Sequence, residues 1–468
     1  YAIAPRVTLF KTDASARRGI ARLRFSLEAD CQESMDELAD RLRRLPGREV
    51  SAVRQLAILP SEQEGLHDDA TGAANPYSRL PVHDPTMFFG RTRELEEISQ
   101  AVDHNAAWFV LRGQKRVGKT SLLLHLQKHA WEPHVAVCAF VDLQAVASLA
   151  HANIFYEIAS AVYLDLENDP RVAAFGAPTR SLFAEHAPHR LADYLDAVRQ
   201  RLGTRRLVVL IDEFSRTTDL LLAGDFPRDF FDQWRSLLRL AGDTISFVTV
   251  IQQKSYDRAQ QTTRMQLDSP LGHAVDISGE LVLKPLDATD ARRLIEWPMR
   301  NFMDYAAGAA EHVLHLTGGN PFVIQAFCNK LVGHMTLQGT RTATLEDVNS
   351  VAELFMHPME SLFAHMLDLA PKHTDHLITC MARLAEAKRG QAVDGESGGD
   401  KLGDADAPIT LAQMRAAVTD TSPAAQERIL AELCANDLLV QCGPAEWRFT
   451  SILFRRWLAR NGALMIGA

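Results

Sequence analysis

Between residues 108 and 286 the chain alternates short, dense apolar runs with longer amphipathic stretches. The runs "WFVLR" (108–112), "HVAVCAFVDL" (134–143), "RRLVVLIDEF" (205–214), "TISFVTVIQQK" (244–254) and "GELVLKPL" (279–286) are rich in β-branched and aromatic residues and are too short for buried helices. They predict five buried strands. Helical spacing follows the first run in "SLLLHLQKHA" and recurs near 152–166 and 189–202, so strands and helices alternate as in an α/β core.

Chemistry enters where the first strand ends. Gly113, Gly118, Lys119 and Thr120 in "VLRGQKRVGKTSLLLHLQ" (110–127) match G-x-x-x-x-G-K-[ST], the phosphate-binding loop. Glycines let the backbone approach an anion, backbone N–H groups cradle it, and the positive N-terminus of the next helix faces it. The loop therefore predicts a nucleotide contact made by Gly113, Gln114, Lys115, Arg116, Val117, Gly118, Lys119, Thr120 and Ser121, with Lys119 at the terminal phosphates. A second motif closes the strand at 205–214, where Asp212 and Glu213 follow the apolar run. Thr120 and Asp212 are expected to hold Mg2+ directly or through water, and Glu213 to polarise the attacking water. The strand at 134–143 separates the two motif strands along the chain.

This count and order of strands resembles the additional-strand, catalytic-glutamate division of phosphate-loop ATPases. In that class a polar residue ending the fourth strand senses the γ-phosphate, which points to Gln252, with Gln253 and Lys254 beside it; a solvated loop start fits each of them as well. Upstream, "NPYSRLPVHDPTMFFGRTRELEEI" (75–98) resembles the lead-in segment of bacterial STAND-type ATPases, whose "FFGR" element closes over the adenine. Phe88, Phe89, Gly90 and Arg91 fill that element. Downstream, "LTGGNPFVIQAFCNKLV" (316–332) resembles the lid of the same group and of origin-recognition ATPases, where a Gly-x-Pro turn brings proline against the base; Gly319, Asn320 and Pro321 carry the match. Several STAND families end the fourth strand with an arginine where this chain has "IQQK", and Lys254 is a less specific substitute. A trans-acting arginine finger at Arg258 or Arg264 is left unassigned.

The resemblance extends to the tail. "AEWRFTSILFRRWLARN" (445–461) reads as the wing and last helix of a winged-helix domain, preceded by a helix-turn-helix at 410–418 and 422–440, with Ser422 as cap and Pro423 at the first helical position. Its would-be recognition helix carries Glu427, Glu432 and Asp437 against Arg428, and carboxylates repel phosphates, which favours a lid-and-relay role over DNA reading. Residues 385–407, polar and glycine-rich, are expected to be a flexible insertion.

Residues 5–60 read strand (6–11), strand (19–29), helix (33–46), strand (49–59), with Ile20, Leu23, Phe25 and Leu27 roughly on one face. "KTDASARRGIARLRFSLEA" and "MDELADRLRRLPGREVSAVRQL" resemble the second half of the ACT domain of alarmone synthetase-hydrolases, an α+β half domain whose first strand and helix are expected before residue 1. A ligand sensor and a plain docking module fit it equally.

The expected layout is thus an ACT-like half domain (1–60), a linker and lead-in segment (61–86), an α/β P-loop core of the additional-strand, AAA+/STAND-like kind (87–286), a helical lid (287–370) and a winged-helix domain (371–468). Composition narrows the setting. At 468 residues, 47% hydrophobic and 23% charged, the chain has the make-up of a soluble protein of about three domains. No apolar run approaches the ~20 residues of a membrane helix. Six cysteines without paired C-x-x-C spacing fit reduced thiols in a cytoplasm and not zinc. A net charge of −9 disfavours a generic nucleic-acid coat. The resemblance implies an ATP- and Mg2+-dependent switch, self-associating with nucleotide and acting through an effector or upstream domain outside these residues, with a signalling role such as phage defence. Two other readings stay open: a DNA-handling ATPase (replication loader or transposition regulator), which shares the core, lid turn and winged helix, and a nucleotide-binding scaffold without turnover, which an intact Glu213 disfavours.

Overall fold

The structure is a computed structural model and describes residues 75–465 apart from 133, 147–150, 168, 170–175, 227–228, 242–243, 253–277, 368–374, 395–407 and 419–420. The ACT-like segment, Gln253, Lys254, Arg258 and Arg264 lie outside the described residues.

Five parallel strands form one sheet: β1 (Trp108–Gly113), β2 (Ala136–Asp142), β3 (Arg206–Asp212), β4 (Ile245–Gln252) and β5 (Gly279–Leu283), in the order β2-β3-β4-β1-β5. All five expected strands are present. The strand that intervenes between the motif strands in sequence, β2, lies at the sheet edge, and β4 is the one inserted between β1 and β3 in space. Both faces are covered by helices, which is why the strands read as continuous apolar runs instead of alternating ones. On one face α1 (Thr92–Asp103) and α2 (Lys119–His129) bury Ile98, Val102, Leu122, Leu123 and Leu126 against Phe109, Leu111, Val208, Leu210, Val248 and Val250.

On the other face lie α3 (His151–Leu166), α4 (Ala187–Leu202), α5 (Ser215–Ala223) and α6 (Phe230–Ala241). There Trp234 of α6 packs edge-on to Trp108 and Phe247 at centroid distances of 6.2 and 5.2 Å. The register sets the site: Gly113 is opposite Gln252, and Asp142 is opposite Asp212, so the strands deliver their carboxyl ends together.

Beyond β5 come α7 (Ala288–Glu296), β6 (Asp304–Tyr305), α8 (Ala309–Thr317), α9 (Pro321–Gln338), β7 (Thr342–Ala343), α10 (Leu345–Phe355) and α11 (Glu360–Leu367). The chain then runs through α12 (Asp375–Asp394), β8 (Ile409–Thr410), α13 (Leu411–Ala417), α14 (Pro423–Ala435), β9 (Leu439–Gly443), β10 (Glu446–Phe449) and α15 (Ile452–Met465), with an antiparallel sheet in the order β8-β10-β9. One apolar core is shared by the helix group and these C-terminal elements, running from Leu294 and Phe327 to Phe363, Phe454 and Trp457. Ser422 caps α14 by accepting from Ala425 N at 3.4 Å, as expected, but the helix stops at Ala435 and Leu439 onward is strand.

Two expectations change. Residues 385–394, expected to begin a flexible insertion, continue α12 as helix. Alanine, glutamate, lysine, arginine and glutamine are good helix formers there, and a single Gly390 costs only ~1 kcal/mol. Residues 395–407 lie outside the described residues. The lead-in segment, read as linker to residue 86, is fixed from Asn75 onward: Tyr77 is 2% exposed in the core of the helix group.

Candidate nucleotide site

Strand β1 ends at Gly113, whose φ of +154° and crowding (an added Cβ would lie 2.6 Å from Leu283 O) leave room only for glycine. The loop then turns through Arg116 at φ 64° and Gly118 at φ 102° before α2 begins at Lys119. Val117 is fully buried and pins the loop to the sheet, while Lys115 and Arg116 point outward. Arg116 lies over the ring of Phe322 of α9, 4.1 Å from its centroid.

Lys119 is 7% exposed, and its ammonium donates to Gly113 O (3.1 Å) and Gln114 O (2.7 Å). Burial lowers its pKa to about 8, with Glu213 and Asp212 pulling the other way. Thr120 donates its hydroxyl hydrogen to Asp212 Oδ2 at 2.6 Å. Burial pushes the Asp212 carboxyl up to about 6, against the lowering effect of that hydrogen bond. Glu213 adopts φ 53°, rare for a side chain of its size, which turns it off the strand at the sheet edge. Its backbone N–H donates to Asp212 Oδ1 at 3.0 Å, and its carboxylate accepts from Gln252 Nε2 at 2.8 Å. Lys119, Thr120, Asp212, Glu213 and Gln252 are thereby joined around one point at the carboxyl edge of the sheet, where open α/β sheets bind ligands.

The surrounding candidates divide. Pro321, next to the Asn320 cap of α9, faces the loop, 3.7 Å from where a Cβ on Gly118 would be. Gly319, at φ 71°, admits no Cβ because Leu286 O would lie 2.6 Å away, which explains the doubled glycine before the proline. Ser121 accepts from Val82 N at 3.0 Å, so its hydroxyl is used by the lead-in segment. Phe88 stacks on His125 of α2 with centroids 4.1 Å apart, and Phe89 packs against the helix-group core with Arg293 6.0 Å from its ring. Gly90 takes φ 67°. Arg91, expected to frame the base, is buried: it pairs with Glu94 at 2.9 Å and donates to Val117 O at 3.2 Å, bracing the loop from behind. Gln114 donates its side-chain amide to Asn436 O at the end of α14.

Sequence reasoning missed Ser215, whose hydroxyl lies 3.5 Å from Glu213 Oε2, and the contacts of Asn436 and Asp437, the latter 3.7 Å from Lys284. No local pattern announces them, since they depend on how distant segments dock.

The family model described as Novel STAND NTPase 1 matches residues 77–443, and the chain belongs to that family of nucleotide-hydrolysing phosphate-loop proteins. No curated protein matches it. Similar solved structures include the Walker-type ATPase of Pyrococcus abyssi (14% identity, TM-score 0.49, 81% of this chain and 98% of that one). The Aeropyrum pernix ORC2 protein in its ADPNP-ADP complexes has 14% identity and a TM-score of 0.48 over 84% of this chain and 100% of that one. Thermotoga maritima RuvB has 13% identity and a TM-score of 0.37 over 81% and 98%.

Proposed function

We propose that the chain is an ATP-hydrolysing molecular switch whose nucleotide state sets the position of the helix group and of the C-terminal elements, and through them self-association. The observation that carries the reading is the contact of Thr120 with Asp212 beside a Glu213 held by Gln252, at the mouth of a glycine-lined anion cradle. The Thr120 hydroxyl and Asp212 carboxylate are oxygen donors of the kind a hard cation takes, so these residues fit Mg2+. Bound there, the ion would neutralise phosphate charge.

Lys119 would exchange its two loop carbonyls for β- and γ-phosphate oxygens, an exchange favoured because a phosphate is the stronger acceptor. Glu213 would accept the proton of the attacking water, and Gln252, freed from Glu213, would reach the γ-phosphate. Phe88 to Gly90 and Pro321 would frame the base, with Arg91 supporting from behind.

The C-terminal order of helix, strand, two helices, hairpin and helix supports a winged-helix reading. Use of that module on DNA is not favoured: Arg415 of α13 is paired with Glu427 of α14 at 2.9 Å, which leaves the helix pair without a net basic face. Two measurements test the proposal. Hydrolysis should require Mg2+ and stop with chelator. Light scattering should show a larger particle with a non-hydrolysable ATP analogue than with ADP, and identical masses up to tens of micromolar would reduce the chain to a plain ATPase.

A further inference from the structure

Residues 75–91 are tied down at two ends by different parts of the molecule. At the first end Asn75 Nδ2 donates to Asn329 O of α9 at 3.2 Å, and Asn329 Nδ2 donates back to Tyr77 O at 2.8 Å. Ser78 N donates to Gln325 Oε1 at 3.3 Å, and the Tyr77 hydroxyl donates to Ile295 O at 2.6 Å from inside the helix-group core. At the second end Val82 N donates to Ser121 Oγ, Phe88 stacks on His125, and Arg91 donates to Val117 O. These three partners belong to the phosphate loop or to the helix it starts, while Phe89 between them packs against the helix-group core.

Three residues separate Ser78 from Val82. A chain rises at most ~3.6 Å per residue, so these two anchors can never be more than ~14 Å apart while both hold. Any excursion of α9 beyond that reach must pull Val82 off Ser121 or Ser78 off Gln325, and one beyond ~18 Å must free Val82 or draw Tyr77 out of its pocket. The sequence between them, Arg79-Leu80-Pro81, adds stiffness, because proline fixes its own φ and restricts the residue before it.

We propose that residues 75–91 are a strap through which the helix group sets the conformation of the phosphate loop, with Tyr77 and Asn329 as its positioning residues at one end and Arg91 at the other. The strap acts on Ser121 at the first turn of α2 and on Val117 within the loop, one residue before Gly118 and two before Lys119. It rests on the nucleotide reading only for its effect on ligand release, since its mechanical part is a property of the free chain.

The test is hydrogen–deuterium exchange of the loop peptides covering 113–121 in the nucleotide-free full chain. Asn329→Ala, far from the loop in sequence, should speed exchange there about fivefold, the factor expected for loss of one hydrogen-bond link. Tyr77→Phe, which keeps the ring in the core, should act in the same direction. Asn329→Ala combined with Arg91→Lys should be no faster than the faster single variant, because both break one linkage. Exchange that changes in α9 alone, or single effects that multiply in the double variant, would overturn the strap. Release of a fluorescent ATP analogue should quicken in parallel. A wild-type chain that fails to bind the analogue while the loop still responds to Asn329→Ala would sink the nucleotide reading and leave the strap standing.

Discussion

Two regions of the molecule bury polar groups, and they do so in opposite ways. At the carboxyl edge of the sheet, Lys119 is buried with two backbone carbonyls as its hydrogen-bond acceptors, Asp212 is buried beside a hydroxyl, and Arg116 and Glu213 hold left-handed backbone. At the seam between the helix group and the C-terminal elements, buried charge is matched by opposite charge. Buried Arg456 of α15 meets Glu353 of α10 at 3.5 Å across the seam, and just behind it, within the C-terminal elements, buried Arg455 meets Glu386 of α12 at 3.0 Å. Each side also closes its own helix starts: Thr344 and Thr410 form capping boxes with Asp347 and Gln413. Matched charge holds a body together, whereas strained backbone and depressed or raised pKa values mark a place kept ready for a ligand.

If that contrast is right, substitutions at the sheet edge should change chemistry without unfolding the chain. The largest effect expected is on turnover. Glu213→Gln keeps the shape and the contact with Gln252 but cannot take a proton, so steady-state hydrolysis should fall ~100-fold or more while ATP affinity stays within a few-fold. Hydrolysis equal to wild type would remove Glu213 from its role. Lys119→Ala deletes the charge nearest the phosphate cradle and should weaken binding of a fluorescent ATP analogue by ~100-fold. Its melting temperature should hold or rise, because a buried lysine costs the folded state. Unchanged binding would end the phosphate-loop assignment.

The same contrast explains what could be read before folding. The sheet edge was legible because its chemistry is local: five apolar runs, a glycine-spaced loop and two carboxylates closing a strand fix Gly113, Lys119, Thr120, Asp212 and Glu213 within short windows. Gln252 was reached through the family resemblance, as the polar residue that ends the fourth strand, with a solvated loop start fitting it as well. Helices α5 and α6 went unread, although in α6 the buried Phe230, Trp234, Leu237 and Leu238 recur at helical spacing within one window. Tyr77 lay in a stretch whose composition says linker, and its burial depends on Ile295 and Asn329, more than 200 positions away. Arg91 was assigned to the base by resemblance, and only the fold shows its guanidinium turned to Val117 O.

A substitution at the seam should show the reverse pattern, costing stability and sparing chemistry. Gly318 ends α8 at φ 65°, and an added Cβ would meet Thr450 O at 2.5 Å, backbone that cannot swing aside. Gly318→Ala should therefore destabilise the chain by ~2–4 kcal/mol, from left-handed strain plus the displacement of the C-terminal elements. Denaturant unfolding with unchanged binding of the ATP analogue per folded molecule is the expected result. Lost affinity at unchanged stability would mean that the seam and the sheet edge are not separable.

The smallest expected effect is a pH dependence, and it follows from Lys119. Its pKa in the free chain lies near 8, against 10.5 for an unburied lysine. Between those values the unfolded chain carries the extra proton, so this residue makes stability rise with pH from about 8 to about 10.5, by at most ~3 kcal/mol. Binding runs the other way. Phosphate oxygens favour the charged ammonium, so above pH 8 the chain must take up a proton to bind, and affinity should fall by up to ~10-fold per pH unit. Titrating the ATP analogue from pH 7 to 9.5 in wild type and Lys119→Arg separates this from any general effect, since arginine stays charged throughout. The wild-type curve should bend near pH 8, and the variant, if it binds, should stay flat. A wild-type affinity that is level to pH 9.5 would show that the two loop carbonyls already hold Lys119 charged, and that the sheet edge is as well matched electrostatically as the seam.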